Sequence, residues 1–218
     1  MDMPAVQDNS RKFTRESAEH RREALILATL DLIAEMGVRG ATVREIAARA
    51  NVTQGLIRHY FTSKDELVHA AYEHHMNTLT VKTAAYTGEG TAVSRLSNFV
   101  DASLRPPIVD PKVVALWAGF LNKVQTDPKM QHVHQRTYDY FRDHLEALIV
   151  AALKETRRDV EPFEAKQLAI ACNAVIDGLW LEGGALPDAF AEGQLPQIGL
   201  DSVGAILGIT LNKEAAES

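Results

Sequence analysis

Apolar positions recur at three- and four-residue intervals along most of the chain, the spacing of one helix face. Leu25, Leu30 and Ile33, helped by Ile26 and Ala34, predict a first helix over about Ser17–Met36, with Gly37 as its stop. A short second helix follows over Val43–Arg49, where Thr42 and Glu45 have the spacing of a capping box. The third runs from Thr53 to about Phe61, and Ser63 with Glu66 opens a fourth that continues to about Ala84. After Gly88 and Gly90 a fifth helix spans about Thr91–Leu104 and ends before Pro106 and Pro107. Asp110-Pro111 and Asp127-Pro128 each place a cap before a proline at the first helical position, opening a sixth helix and a long seventh that reaches about Arg158. Pro162 starts an eighth, which is expected to end at Gly183–Gly184, and Leu200 to Asn212 makes a ninth after a Pro/Gly-rich loop. No run of alternating β-branched residues and no internal repeat interrupts this order, so the expected fold is all-α with about nine helices.

Helices two and three are short and are joined by three or four residues around Ala50, Asn51 and Val52, behind a longer helix. That is the helix-turn-helix pattern, with Val43, Ile46, Ala47, Val52 and Ile57 as its small core. The stretch ANVTQGLIRHYFTSKDEL places a glycine early in the third helix, where it costs about 1 kcal/mol relative to alanine. A recognition helix explains that glycine, because its first turn lies against the bases and Gly55 lets the backbone come close. Thr53 and Gln54 then sit at the base edges, where a glutamine can pair with adenine. Arg58, one turn on, reaches guanine or a phosphate. Thr42 and Thr53 cap helices whose first amides offer a phosphate seat, and Lys64 is placed for phosphate at the next helix start. The competing reading is an arbitrary helical hairpin with a polar face.

Charge adds to this picture only through its distribution. The chain of 218 residues has net charge −6, yet residues 11–64 hold ten Lys/Arg against six Asp/Glu while the rest hold 13 against 23. A basic N-terminal quarter on an acidic body suggests a local anion-binding face. Arg11, Lys12, Arg15, Arg21 and Arg22 follow a mostly polar or small stretch, residues 1–10, that is expected to be disordered or weakly ordered, in an arm that adds phosphate or minor-groove contacts. At 46% hydrophobic and 24% charged the composition is that of an ordinary globular protein. No apolar run of about 18 residues and no apolar N-terminal segment is seen, and the single cysteine, Cys172, has no partner in the chain. The expectation is a cytoplasmic protein without a membrane segment.

An enzyme is the rival from another class. His74-His75 and the pair His132, His134 lack the i,i+4 spacing of a helical zinc site, and Cys172 has no neighbouring base. Neither G-x-S-x-G nor a phosphate-binding G-x-x-x-x-G-K-[ST] occurs. No catalytic residue, metal or cofactor is expected.

The segment ATVREIAARANVTQGLIRHYFTSKDELV closely resembles the DNA-binding signature of the TetR family of bacterial repressors, over about residues 20–70. GLIRHYF and the later AVIDGLWLEGGAL are most similar to its BetI-type branch, repressors of choline–betaine genes. The resemblance implies an all-helical homodimer. A helix-turn-helix DNA-binding domain with its arm would occupy residues 1–62, and a ligand-binding and dimerisation domain residues 63–218. Its partners would be double-stranded operator DNA and a small-molecule inducer. By position the DNA-contacting set is Thr42, Arg44, Thr53, Gln54, Gly55, Arg58, His59, Tyr60 and Lys64. Arg58 stands where many relatives carry an aromatic or small residue, which leaves the base preference open.

In the C-terminal domain, Leu168, Cys172, Val175 and Leu179 form one stripe of helix eight, with Ile176 and Trp180 beside it; Val203, Ile206, Leu207 and Leu211 form another on helix nine. Both fit a monomer core, and the resemblance implies that they pair with a second copy. Trp117, Phe120, Tyr138, Tyr140 and Phe141 lie where the family places its pocket and are otherwise ordinary core aromatics. An aromatic cage of this kind holds quaternary ammonium groups, and the BetI-like resemblance makes choline or a similar small cation the first ligand to consider. A different hydrophobic ligand is the alternative. Asp177, in apolar surroundings, needs a partner, either a cation or a neighbouring polar group.

Overall fold

The computed structural model describes the backbone of residues 8–85 and 89–212, and the side chains of residues 18–81 and 89–212. Nine α-helices and one 3₁₀ turn (Pro187–Ala189) make up the secondary structure of the described residues, and no strand is among them. The chain divides into two compact units, Met1–His75 and Met76–Ser218. The division runs through the continuous helix α4 (Lys64–Ala85) instead of falling at residue 62. Leu67, Val68, Ala71 and Tyr72 in the first half of α4 are buried side chains of the first unit.

In the first unit, α1 (Asp8–Gly40) begins well before the expected Ser17. The added residues, DNSRKFTRE, include a single apolar one, Phe13, and several of low helix propensity, so the periodicity that revealed the rest of the helix is missing. Of the segment expected to be disordered, residues 1–7 lie outside the described residues, whereas Asp8, Asn9 and Ser10 are helical. Gly37, with φ 73°, breaks the helical backbone at the expected stop, and Val38–Gly40 resume it briefly.

The helix pair α2 (Val43–Arg49) and α3 (Gln54–Tyr60) packs beside α1 around Ile46, Ala47, Ile57 and Phe61, all buried; Val43 and Val52 are half-buried. The turn between them is set by Asn51 at φ 54°. Asn51 N donates to Ala48 O (3.2 Å) and Val52 N to Ala47 O (2.9 Å), the two bonds of a Schellman ending. Asn51→Gly should therefore be tolerated. Asn51→Val should destabilise the unit by about 1–2 kcal/mol, because a β-branched side chain resists the left-handed region. Urea unfolding of the two variants measures the difference.

In the second unit, α5 (Ala92–Ser103) packs against α7 (Pro128–Glu155), α8 (Pro162–Ala185) and α9 (Gln194–Leu207), while α6 (Pro111–Thr126) lies on α7 and α8. The expected starts hold. Asp110 accepts from Lys112 N (2.7 Å) and Asp127 from Lys129 N (3.0 Å), each ahead of a proline in the first turn. The core is built from Leu96, Phe99 and Val100 of α5, Leu145, Ile149 and Leu153 of α7, Cys172 and Ile176 of α8, and Val203 and Leu207 of α9.

Two boundaries differ from expectation. α8 runs through Gly183 and Gly184 to Ala185, and both glycines are buried. A Cβ at Gly183 would collide with Leu195 and one at Gly184 with Val114, so this pair permits close packing and does not end the helix. α9 starts at Gln194 and ends at Leu207, not at Asn212, leaving Leu211 beyond it. Pro196 falls in the first turn, where a missing N–H is harmless, and Gly208 at φ 68° terminates the helix.

Candidate functional site

On the first unit the expected DNA-contacting residues gather on α2, α3 and the start of α4. Thr42, Arg44, Thr53, Gln54, Gly55, Arg58 and His59 are exposed, and Tyr60 and Lys64 are half-buried. Thr42 Oγ1 accepts from Glu45 N and Thr53 Oγ1 from Leu56 N, both at 3.3 Å. The expected capping box at Thr42 is half made, for Thr42 N donates to Gly40 O at 2.8 Å and not to Glu45, whose Oε2 is buried without a hydrogen bond. His59 and Tyr60 stack edge to face at 5.1 Å.

The frame beneath this face is fixed by charged contacts. Arg49 grips Glu35 of α1 through two bonds of 2.9 and 2.6 Å, and Arg22 lies 5.1 Å over the ring of buried Phe61. Lys64 Nζ donates to Val38 O at 2.8 Å, so this lysine also ties α4 to the end of α1. A lysine ammonium has three donors, and two remain for a phosphate. Gly55 has an unusual environment. A Cβ built there would meet only Thr53 Oγ1, at 3.7 Å, and so nothing within the fold demands glycine at this position.

The second unit contains a cavity of about 100 Å³. It is lined from α4 by Met76, Leu79 and Thr80, and from α8 by Asn173, Ile176, Asp177 and Trp180. Between them stand Trp117 of α6 and Thr137, Tyr138 and Phe141 of α7, with Ser103 and Ile108. Trp117 and Trp180 meet edge to face, ring centres 6.0 Å apart and planes at 80°. Trp180 is anchored by donating from Nε1 to Ile108 O at 2.9 Å. Phe141 leans on Phe99 at 5.1 Å, and Tyr138 stacks on His134 at 4.4 Å.

Asp177 Oδ2 accepts from Asn173 Nδ2 at 2.9 Å, one turn earlier on the same helix. Burial pushes the Asp177 carboxyl up to about 6; the Asn173 hydrogen bond and the charge of Arg142 offset part of that rise. Burial also pushes the Tyr138 hydroxyl up to about 12, with the Asp177 charge adding to the effect. The cavity is thus an apolar, aromatic enclosure with one carboxylate that water solvates poorly. A cation with an apolar shell fits such a place.

Four of the six residues considered for the ligand site, Trp117, Tyr138, Phe141 and Asp177, line the cavity. Phe120 does not. It is fully buried, an ordinary core aromatic. Tyr140 is 56% exposed and also lies outside the lining. Sequence reasoning missed the role of Asn173 and Trp180. Their signal was present, since Asn173, Asp177 and Trp180 stand at i, i+4 and i+7 and share one face of α8.

The expected pairing surface needs a larger correction. Cys172, Ile176, Val203, Leu207 and Leu211 are buried inside the second unit itself, and Leu168, Leu179 and Ile206 are partly buried against the same core. Val175 is half-buried. The outward face of α8 is Ile170, Ala171, Ala174, Gly178 and Leu181. α8 is apolar on every side, so its stripe could not be phased from sequence. By composition this helix is also apolar enough to cross a membrane, though its apolar residues divide between the core and that outward face. Among the described residues no group of three His, Cys, Asp or Glu is placed to hold a metal.

The helix-turn-helix unit and the aromatic cavity correspond to the two parts of a known architecture. The profile of bacterial regulatory proteins of the tetR family matches residues 25–71, and that of the BetI-type transcriptional repressor C-terminal domain matches residues 92–208. The chain belongs to the TetR family, in its BetI-type branch. Within this family it is 32% identical over 170 residues to the HTH-type transcriptional regulator BetI of Burkholderia thailandensis, covering 76% of this chain and 82% of that protein. A transcriptional regulator from Pseudomonas aeruginosa PAO1 shares its fold with a TM-score of 0.80 at 32% identity, over 92% of this chain and 97% of that one. A transcriptional regulator from Saccharomonospora viridis, solved in complex with choline, is 19% identical with a TM-score of 0.72, over 85% of this chain and 96% of that one. The TetR-family, BetI-type chain is therefore a regulator of transcription of the repressor type and not an enzyme. TetR-family regulators bind DNA and small molecules and form dimers.

Proposed function

We propose that this repressor is released from a palindromic operator by a small organic cation, with choline as the first ligand to test. The observation that carries the proposal is the cavity in which two tryptophans, Tyr138 and Phe141 surround the poorly solvated carboxylate of Asp177. Cation–π attraction and the carboxylate act together on a quaternary ammonium. The choline complex of the Saccharomonospora viridis regulator, a protein of the same fold, supports the choice of ligand. The cavity volume suits a molecule of a few heavy atoms better than a drug-sized one. A wholly apolar ligand would leave the poorly solvated Asp177 charge with no cation in the cavity, which disfavours it.

Release requires the ligand to act on the DNA-binding helices. α4 begins at Lys64, directly after the recognition helix, and carries Met76, Leu79 and Thr80 on the cavity wall. In this proposal the ligand displaces α4, and the two recognition helices of a dimer lose the spacing of about 34–36 Å that successive major-groove half-sites demand. The dimer forms through the outward α8 face of Ile170, Ala171, Ala174, Gly178 and Leu181. Linkage then requires operator DNA to weaken choline binding by the factor with which choline weakens operator binding. Calorimetry with choline, with and without operator DNA, tests both halves. An absence of heat would sink choline as the ligand, and equal affinity in the two titrations would sink the release mechanism.

The DNA face carries its own test. Gln54 reads a base and Lys64 holds a phosphate, so their alanine variants should fail differently. Gln54→Ala should relax preference at one operator position at a cost of about 1–3 kcal/mol. Lys64→Ala should weaken binding to all sequences alike and reduce the salt slope by about 0.9. Binding measured across operator variants at several salt concentrations separates the two. If both variants lose affinity with preference intact, α3 is not the base-reading helix.

A further inference from the structure

We propose that Arg22 of α1 is a DNA-phosphate contact of the first unit, held ready by the ring of Phe61. The inference rests on the DNA-binding reading of α3 and adds a contact from outside the helix pair. Arg22 also precedes the stretch that the tetR profile matches, residues 25–71.

Arg22 is exposed, yet its side chain has a fixed seat, with the guanidinium carbon 5.1 Å over the Phe61 ring. Phe61 is itself only 2% exposed, so the ring is a firm support. Phe61 joins α3 to α4, and its N–H donates to Ile57 O at 2.9 Å to close the recognition helix. The residues that follow are tied down as well. Thr62 N and Oγ1 donate to Glu66 Oε2 at 2.7 and 2.6 Å, and Glu66 N donates to Ser63 Oγ at 3.1 Å. Lys64, assigned to phosphate, stands at the end of this turn and is held by Val38 O. One rigid turn at the end of the recognition helix thus carries a cation at each side.

A guanidinium that rests on an aromatic ring keeps its charge and most of its five donors for another partner. Those donors form a planar fork that matches a phosphate. A surface arginine must give up side-chain freedom when it binds, and one already seated on a ring loses less. The local charge agrees, since residues 11–64 hold ten Lys/Arg against six Asp/Glu on a chain of net charge −6. The competing role is that Arg22 only covers Phe61 and so positions α3. The two roles differ in their effect on salt dependence. A phosphate contact releases counterions whatever the sequence, whereas a support for α3 changes which bases are chosen.

Fluorescence anisotropy with a labelled mixed-sequence duplex of about 30 base pairs, at several salt concentrations, tests the contact on the full-length protein. Arg22→Gln should bind a few-fold to about tenfold more weakly, and its plot of log affinity against log salt should be less steep by about 0.9. Arg22→Lys keeps the charge and should keep the wild-type slope. Both variants should stay folded by circular dichroism and select the same sites as the wild type from a random-sequence pool. A wild-type slope retained in Arg22→Gln would overturn the proposal; if the selected sites also change, Arg22 is a support for α3 instead. A wild-type protein that selects no site and shows no salt-dependent binding would overturn the DNA-binding reading and this inference with it.

Discussion

Asp177→Asn is expected to weaken choline binding by roughly 30-fold or more while raising the melting temperature of the free protein near pH 8. The loss of affinity is what removing one partner of a desolvated charge pair costs, about 2–5 kcal/mol. The gain in stability follows from the carboxyl being pushed up to about 6 by burial. Its folded value lies above its unfolded one, so the protonated form is the one the fold favours. That contribution is fully present below about pH 4 and is lost as pH rises through about 6. Near pH 8 the buried charge destabilises the free protein by an amount on the order of 2–3 kcal/mol. Asparagine is nearly isosteric, carries no charge and removes that penalty. Thermal melts of the two proteins should converge near pH 4 and diverge toward pH 8.

Choline binding to the wild-type protein should tighten between about pH 5 and pH 7, as Asp177 ionises, and the asparagine variant should lose most of that dependence. Tyr138, lifted to about 12, stays neutral throughout; His134, stacked on it and lowered by burial, is another group near the cavity that titrates, and the asparagine variant separates its effect from that of Asp177. A variant that binds choline as tightly as the wild type would remove Asp177 from the ligand site.

Gly55→Leu is expected to leave the fold intact and to abolish operator binding, with affinity falling by more than about 100-fold. The two effects have separate origins. In the free protein a Cβ at Gly55 points into open space, and leucine is the better helix former by up to about 1 kcal/mol. Stability should therefore hold or rise slightly. Against DNA the same space must admit the walls of the major groove, and overpacking by even a few methylenes costs about 1–3 kcal/mol or more. Gly55→Ala should fall between the two in affinity. Fluorescence anisotropy on labelled operator, paired with urea unfolding, reads both quantities. Tight operator binding by Gly55→Leu would mean that the first turn of α3 does not approach the bases.

The helix-turn-helix was legible because its determinants are local. Caps at Thr42 and Thr53, a turn residue able to take positive φ at Asn51, and small apolar sets at helical spacing all lie within a few residues of one another. The long polar start of α1 was not legible by the same means, since a stretch with one apolar residue and several poor helix formers gives no periodicity. Gly183 and Gly184 were mistaken for a helix end. Glycine serves equally as a stop and as a close-packing residue, and only the neighbours Leu195 and Val114 tell which.

By itself the sequence determined the all-helical order and the short capped helix pair with its early glycine; the grouping of Trp117, Tyr138, Phe141 and Asp177 came from the resemblance to the family. The helix order and the capped pair rest on local spacing and on side-chain chemistry, which a linear chain displays directly. Only the tertiary structure decided the phase of α8. A helix apolar on all sides carries no amphipathic signal, and the choice of inward and outward faces was made by α5, α7 and α9 packing against Cys172 and Ile176. That same packing turned Asn173, Asp177 and Trp180 toward one cavity and left Ile170, Ala174 and Leu181 outside. It also left the Asn173 oxygen and the Trp117 N–H without partners, because a hydrogen-bond vacancy is a property of three-dimensional neighbours and has no counterpart in residue spacing.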